Sequence, residues 1–319
     1  MEQLSNLKKH IGSIGEIKKM TRAMQLISAV KMRRARSQLE KTMPFFALCA
    51  DTMVELKEAG VVIDNPLFML RQKKRGEMWK IGYFILTGDQ GLAGAYNLNV
   101  LSTAEKHIHA KIVDNINKGM MTSAKLYLAG NIGRERLIRD GFDVVEGFRY
   151  PINEPTFYRA RDISEYILDL FESGTLDLVY FIYTRMESAI SMKPIVTRVL
   201  PVNPDALDLI VPDRYRHKRG LAGGELLDYV PSSDDVITYL INTYMNGMVY
   251  GALTEAYASE QTARMTAMDN ATDNANDMLH KLTLVNNQIR QARITSELSE
   301  IVGGAELMNQ MLAKRKEPV

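Results

Sequence analysis

Hydrophobic positions at the two ends of the chain follow a helical step, and those in the middle do not. From Leu4 to about Gly60, apolar residues recur every three or four positions: Leu7, Ile11 and Ile14, then Ile17, Met20, Met24, Ile27 and Val30. That spacing lays a stripe along one face of an α-helix. Pro44 is expected to kink this helix without ending it. Gly12 and Gly15 weaken its first turns and suggest a close helix approach. The run from Ser232 to about Met311 holds no proline at all. At its head, Ser232-Ser233-Asp234-Asp235 offers a capping hydroxyl with a carboxylate three residues on, a helix-start signature. Behind it, Leu282, Val285, Ile289 and Ala292, then Ile294, Leu298, Ile301, Ala305 and Met308, keep the same step and predict one long buried seam. About 80 residues at about 1.5 Å each reach roughly 120 Å. An isolated helix of that length needs a partner along its seam.

Between about Glu77 and Val230 the period changes. Lys80 to Leu86 is a short apolar and aromatic run ending in the turn Thr87-Gly88-Asp89, and Leu98 to Ile116 reads as a helix. Lys125 to Gly130 reads as a second strand, Arg134 to Asp140 as a short helix and Phe142 to Val145 as a third strand. Phe157 to Phe171 is expected to be helical, Leu176 to Tyr183 to be a strand, and Ile195 to Val211 to be an edge strand and loop broken by Pro201 and Pro204. Strands alternating with helices predict a mostly parallel sheet. The fold class expected is therefore α/β: a long antiparallel coiled coil of the N- and C-terminal helices with an inserted small Rossmann-like α/β domain. The divisions are residues 1–60, 77–230 and 232–313. Arg214 to Gly220, with Gly223-Gly224 after it, is expected to be an exposed loop.

Charge sharpens the pairing of the ends. Lys8, Lys9, Lys18, Lys19, Arg22, Lys31, Arg33, Arg34, Arg36 and Lys41 make the first helix basic, although the chain's net charge is only +2. Asp269, Asp273 and Asp277 step by four down one face of the C-terminal run. Opposed biases of this kind suit an antiparallel helix pair. A solvated helix face is the plainer reading of both runs, and a basic helix is also a nucleic-acid contact in other settings. No apolar run reaches the 18 or so residues of a membrane span, and Met1-Glu2-Gln3-Leu4-Ser5 lacks a signal core. Cys49 is the only cysteine, which excludes an internal disulfide or a multi-cysteine metal site. A soluble, non-secreted protein of a reducing compartment is the expectation.

Candidate chemistry is sparse. The loop Thr87 to Asn97 sits at a strand-to-helix junction, where phosphate sites often lie. It lacks a Gly-Lys-Ser/Thr ending and misses the dinucleotide spacing, so a tight turn packing a helix on a sheet is its reading. His107 and His109 are two apart on a helix and point to different faces. His10, His217 and His280 have no matching ligand pattern. No catalytic residue, cofactor or metal ligand is expected.

Four stretches carry a resemblance. They are Ile17 to Arg33, with Lys18-Lys19-Met20-Thr21-Arg22-Ala23-Met24 at its head; Gly88-Asp89-Gln90-Gly91-Leu92-Ala93-Gly94-Ala95-Tyr96-Asn97; Ala258 to Met268; and Arg290-Gln291-Ala292-Arg293-Ile294-Thr295-Ser296-Glu297 through Ala305. Their order and separation resemble the gamma subunit of F-type ATP synthases from end to end. Gln90 and Ala93 stand where that family usually has arginine and cysteine, the region 214–224 looks longer or more divergent, and the tail 314–319 runs past the common end.

The resemblance implies a non-catalytic subunit: the central rotor shaft of a rotary F-type ATP synthase, coupling ion-driven rotation of the membrane ring to conformational changes at the catalytic sites. The partners it implies are the alpha and beta subunits, the epsilon subunit and the membrane ring of c subunits, with one copy per complex and no nucleic acid. The location it implies is peripheral, on the cytoplasmic face of a bacterial energy-transducing membrane. Met24, Arg33, Arg34, Arg290, Gln291, Thr295 and Glu297 match positions that contact beta subunits. Ile301, Val302, Leu307 and Met308 match a tip that turns in an apolar sleeve. A structural coiled-coil adaptor with an α/β docking module is the alternative from another class.

Overall fold

The computed structural model describes residues 2–58, 65–186, 191–202 and 233–314. The expected loop 214–224 and the tail beyond Lys314 lie outside them, as does Ser232 of the capping signature. Helix α1 spans Glu2–Glu58 and passes through Pro44. After a 3-10 turn at Pro66–Phe68 come β1 (Met78–Leu86), α2 (Tyr96–Asn117), β2 (Met121–Ala129), α3 (Arg134–Arg139), β3 (Asp143–Val144), α4 (Phe157–Glu172), β4 (Leu178–Met186) and β5 (Met192–Leu200). The last element, α5, spans Ser233–Lys314. The chain divides into two compact units, Ile27–Met265 and the pair of segments Met1–Leu26 with Thr266–Val319.

In the larger unit the strand order is β3-β2-β1-β4-β5. The first three pairings are parallel, and β5 runs antiparallel along β4. As the last strand in the order, β5 can carry Pro194, which has no N–H to give to a neighbour. The sheet is covered on both sides, and the two-residue period of β1 decides which side chain goes where. Ile81, Tyr83 and Ile85 join Val100, Leu101, Ala104 and Ile108 of α2 in one core. Phe84 and Leu86 join Ala160, Ile163, Ile167 and Phe171 of α4 in the other. Phe84 is the hub of that second layer, stacked on Tyr127 at 4.5 Å and on Phe181 at 5.5 Å, with Phe148 edge-on at 5.4 Å.

The same core takes in both long helices. Phe46, Ala47, Ala50 and Met53 of α1 and Ile241, Met245, Val249 and Leu253 of α5 are buried in it. The two helices come close at Gly247, where a Cβ would run into the Phe46 ring. At Gly130 (φ +89°) a Cβ would strike the Thr87 carbonyl, so β2 leaves the sheet there through a conformation that suits glycine.

The smaller unit is an antiparallel helix pair. Thr21 Oγ1 and Thr272 Oγ1 meet across it at 2.8 Å, and Gln25 Nε2 donates to Asp269 Oδ1. Both hydroxyls also bond their own helices, at Lys18 O and Met268 O. Ile14 is buried at 5% exposure, and the line continues through Thr21 and, on α5, Met268, Thr272 and Ala275.

The apolar stripe read from the sequence faces inward only at its start, where Ile14 is buried and Leu7 and Ile11 are half-buried. Ile17, Met20, Ile27 and Val30 lie outward, Met20 at 64% exposure. From Ile14 the inward line on α1 continues in steps of seven through Thr21, Ser28 and Ala35, which are small or hydroxyl-bearing residues. Gly12 and Gly15 face open space rather than a neighbouring helix. On α5 the expected seam divides: Leu282 and Ile289 are half-buried, whereas Ile294, Leu298, Ile301 and Met308 are exposed. The register explains it. Pairing Thr21 with Thr272 sets Glu2 opposite about residue 291, so α1 is used up before that later series begins.

Asp177 ties the entry segment to the foot of the sheet. Its carboxylate, 3% exposed, takes Arg71 at 3.1 Å and Lys73 at 2.9 Å and the Lys80 backbone N–H at 2.9 Å. Burial alone would raise this carboxyl; the Lys80 N–H and the two cations outweigh it and hold it below the usual value of 3.8. A depressed folded pKa contributes stability that is present above the unfolded value and is lost as pH falls through the folded one. Asp177→Asn is expected to cost about 1–3 kcal/mol at neutral pH, the range for leaving buried hydrogen-bond partners unsatisfied. It is also expected to flatten the fall in stability below pH about 4. Urea unfolding of both proteins at pH 7 and pH 3 checks this, and parallel pH profiles would refute it.

Candidate partner interface

The glycine loop after β1 is held by hydrogen bonds to three other parts of the chain. Asp89 Oδ2 accepts from the Ile152 and Asn153 N–H groups at 2.9 and 2.8 Å. The Gly88 N–H donates to Asn97 Oδ1 at 2.7 Å. Leu92 and Gly94 take positive φ, 63° and 56°, and turn the backbone so that the Gln90 and Gly91 carbonyls face α5. Arg264 on α5 donates to both, at 3.1 and 3.2 Å, and to Glu260 one turn before it. Tyr96 at the start of α2 donates its hydroxyl to Ala256 O at 3.0 Å. Gly88 lies so close under Glu260 that a Cβ there would sit 2.8 Å from Oε1. The loop packs helices onto the sheet, as expected of a tight turn at a strand-to-helix junction. Its Gln90 and Gly91 carbonyls clasp α5 through Arg264.

The clasp is buried. The Glu260 and Arg264 side chains are 4% and 8% exposed. Burial pushes the Glu260 carboxyl above its ordinary value, and the Arg264 guanidinium beside it only partly offsets that. Sequence reasoning assigned these residues no role. Their i,i+4 spacing was visible, but such pairs usually lie on a solvated face. Nothing local says that this one is covered.

The residues matched to beta-subunit contacts are all on the long helices. Met24 is half-buried, and Arg33 and Arg34 are exposed, as are Arg290, Gln291, Thr295 and Glu297. Glu297 accepts from Arg293 Nε at 2.7 Å, a pair on an open helix face. Ile301, Val302, Leu307 and Met308 are exposed at 59–68%. The outward Ile17, Met20, Leu26, Ile27 and Val30 were missed as surface residues, because hydrophobicity alone cannot tell a seam from a docking stripe.

The remaining candidates resolve simply. His107 packs against Tyr83 and Tyr180, and burial, then Lys111, lowers its pKa; His109 packs on Phe142. Among the described residues no group of three His, Cys, Asp or Glu could hold a metal, and no helix is long and apolar enough to cross a membrane. Cys49 is a buried free thiol.

Residues 3–308 match the family model described as ATP synthase. The chain is 40% identical over 311 residues to the ATP synthase gamma chain of Ruminiclostridium cellulolyticum, covering 96% of this chain and 98% of that one. It is 33% identical over 317 residues to the sodium-ion-specific ATP synthase gamma chain of Acetobacterium woodii, covering 97% and 99%. Among solved structures, a chain of the Euglena gracilis mitochondrial ATP synthase (OSCP/F1/c-ring, rotational state 3) superposes with a TM-score of 0.56 at 15% identity, covering 100% of this chain and 97% of that one. A chain of the Tetrahymena thermophila mitochondrial ATP synthase central stalk and c-ring gives 0.52 at 23% identity, covering 79% and 99%. The last two establish a shared fold.

The clasp yields a measurable consequence. Arg264→Met leaves Glu260 buried without its cation and is expected to destabilise the chain by about 3–5 kcal/mol, the range for breaking a buried pair. Because the folded pKa of Glu260 is raised, its carboxylate favours folding least once pH exceeds that value. The loss in Arg264→Met should therefore shrink as pH falls toward 4.5, Glu260's ordinary value. Thermal unfolding of both proteins at pH 5 and pH 8 measures it; an equal loss at both would be the contrary result.

Proposed function

The chain belongs to the ATP synthase gamma chain family, and from that premise we propose that it is the central rotor shaft of a rotary F-type ATP synthase. It carries no active site of its own and couples rotation of a membrane ring to the catalytic sites of an alpha/beta ring. The observation that carries the reading is the bare end of α5. Ile294, Leu298, Ile301, Val302, Leu307 and Met308 are exposed together, beyond the reach of α1, on a helix that could not hold an isolated apolar stripe in water without a sleeve around it. Such a sleeve is what a ring of subunits closing around a shaft supplies.

The helices of residues 1–60 and 232–313 form the shaft and residues 77–230 its foot, in contact with the epsilon subunit and the ring of c subunits, one copy per complex. The assembly sits on the cytoplasmic face of a bacterial energy-transducing membrane. A single asymmetric shaft shows a different face to each of three equivalent catalytic sites, so turning it changes which site binds tightly. Met24, Arg33 and Arg34 meet beta subunits near the neck. Arg290, Gln291, Thr295 and Glu297 meet a beta-subunit loop near the tip. The Glu260–Arg264 clasp carries torque from the sheet domain into α5.

Mixing this chain with alpha and beta subunits from the same source tests the reading. One copy per six-membered ring by native mass, with multi-site ATP hydrolysis appearing only in its presence, is the expected result. No assembly, or assembly without effect on hydrolysis, would leave a structural adaptor instead.

Charge reversal at Arg290 or Glu297 is expected to reduce ATP-driven ion pumping severalfold in the assembled complex while altering stability by at most about 1 kcal/mol, since exposed pairs such as Arg293–Glu297 contribute little. Pumping and thermal unfolding, measured on the same preparations, separate the two effects. Unchanged pumping in both variants would remove these residues from the contact set.

A further inference from the structure

A cleft of about 160 Å³ opens in the larger unit between α1, the start of α4 and α5. Its walls include Lys31, Arg34 and Gln38 from α1, Glu154 and Thr156 from the loop into α4, and Tyr257 from α5. At about 30 Å³ per water, it has room for a tetrahedral oxyanion and one or two waters. We propose that it is a binding site for inorganic phosphate, a reading that does not depend on the rotor assignment.

Three features converge on an anion. Lys31 and Arg34 bring two positive charges, and neither is in an ion pair among the described residues. The N-terminus of α4, a helix of 16 residues, borders the same cleft at its cap residue Thr156 and adds its partial positive charge. Thr156 caps that helix by accepting from the Arg159 N–H at 3.3 Å. The third feature is independent of the helix end. Tyr257 is 4% exposed, and its hydroxyl has no hydrogen-bond partner within the protein, although buried polar groups almost always have one. Burial, with Glu154 and Glu260 nearby, pushes that phenol up to about 12, while Arg264 and Arg34 pull the other way. It therefore stays an O–H donor at any physiological pH, lining a cleft that otherwise gives it nothing to donate to.

The walls are set before a ligand arrives. The Arg159 guanidinium donates to the carbonyls of Pro151 and Asn153 at 3.0 and 2.9 Å, and Asp89 holds the backbone of Ile152 and Asn153. Glu154 takes φ 49° within that braced turn.

Glu154 decides which anion fits. A carboxylate beside two cations disfavours a fully deprotonated oxyanion but can accept a hydrogen bond from one that keeps an O–H. Phosphate near neutral pH always retains at least one proton; sulfate retains none, and a carboxylate ligand such as acetate has none to give. The cleft should thus select phosphate over both.

Calorimetric titration of the full-length chain with sodium phosphate, sodium sulfate and sodium acetate tests this. One saturable phosphate site is expected, with sulfate and acetate at least tenfold weaker. Arg34→Gln should weaken phosphate about tenfold and Tyr257→Phe severalfold, the loss of one charge-assisted and one neutral hydrogen bond. Glu154→Gln should narrow the gap between phosphate and sulfate, a change in selectivity that a merely structural role would not produce. Circular dichroism confirms that each variant is folded. Absence of saturable binding, binding unaffected by all three substitutions, or acetate binding as tightly as phosphate would each overturn the proposal, the last by pointing to a partner protein's carboxylate as the occupant.

Discussion

The buried ion pair of Glu260 and Arg264 is the joint on which the larger unit turns. A charge taken out of water must be matched closely or it costs several kcal/mol, and here the match is made by four groups at once: the carboxylate, the guanidinium and the two carbonyls of Gln90 and Gly91. Because these bonds are directional, they fix α5 in both position and rotation against the loop that follows β1. The loop in turn is fixed to the turn before α4 by Asp89 and to the start of α2 by Asn97. The apolar core beneath, from Phe46 and Gly247 to Leu253, supplies the larger share of the energy but little angular specificity. Burial holds the helix on; the clasp says which way it faces.

Much of the fold could be read from the sequence, and for a consistent reason. Strands β1, β2 and β4 are covered on both faces, so they appear as short unbroken apolar runs that cannot be confused with the amphipathic helices between them. The expected and observed limits of α2 and α4 differ by only a residue or two at each end, because Thr156 and the glycine turns punctuate them. Beyond Ile14 the inward line of α1 was misread because it runs through Thr21, Ser28 and Ala35, residues that do not announce a core. More hydrophobic Ile17, Met20, Ile27 and Val30 lay one step around the helix and were taken for the seam. Hydrophobicity reports that a face avoids water, not what covers it.

The candidate site divides along the same line. The tip and the arginine-bearing motif came from resemblance, and among the described residues they lie on open helix faces. The clasp and the cleft could not have come from pattern at all. Glu260 and Arg264 look like any solvated i,i+4 pair, and Lys31, Arg34, Glu154 and Tyr257 lie in three separate stretches joined only by the packing of α1, α4 and α5. Single-sequence reasoning finds what repeats along the chain and misses what is assembled across it.

The distribution of contact types bears on the proposed role. Within the larger unit, α5 is fixed by directional, buried polar bonds, whereas the bare end of α5 offers aliphatic side chains: Ile294, Leu298, Ile301, Val302, Leu307 and Met308. Apolar contact is non-directional; an aliphatic surface turning inside an aliphatic sleeve loses little energy at any angle. A ring of hydrogen bonds would instead hold one orientation and resist leaving it. The polar groups at this end, Arg290, Gln291, Thr295 and Glu297 among them, are solvent-facing, so their contacts can be made and broken at a cost of about 1 kcal/mol or less each. A shaft that must be gripped at one end and turn freely at the other needs this division of chemistry, and the chain has it.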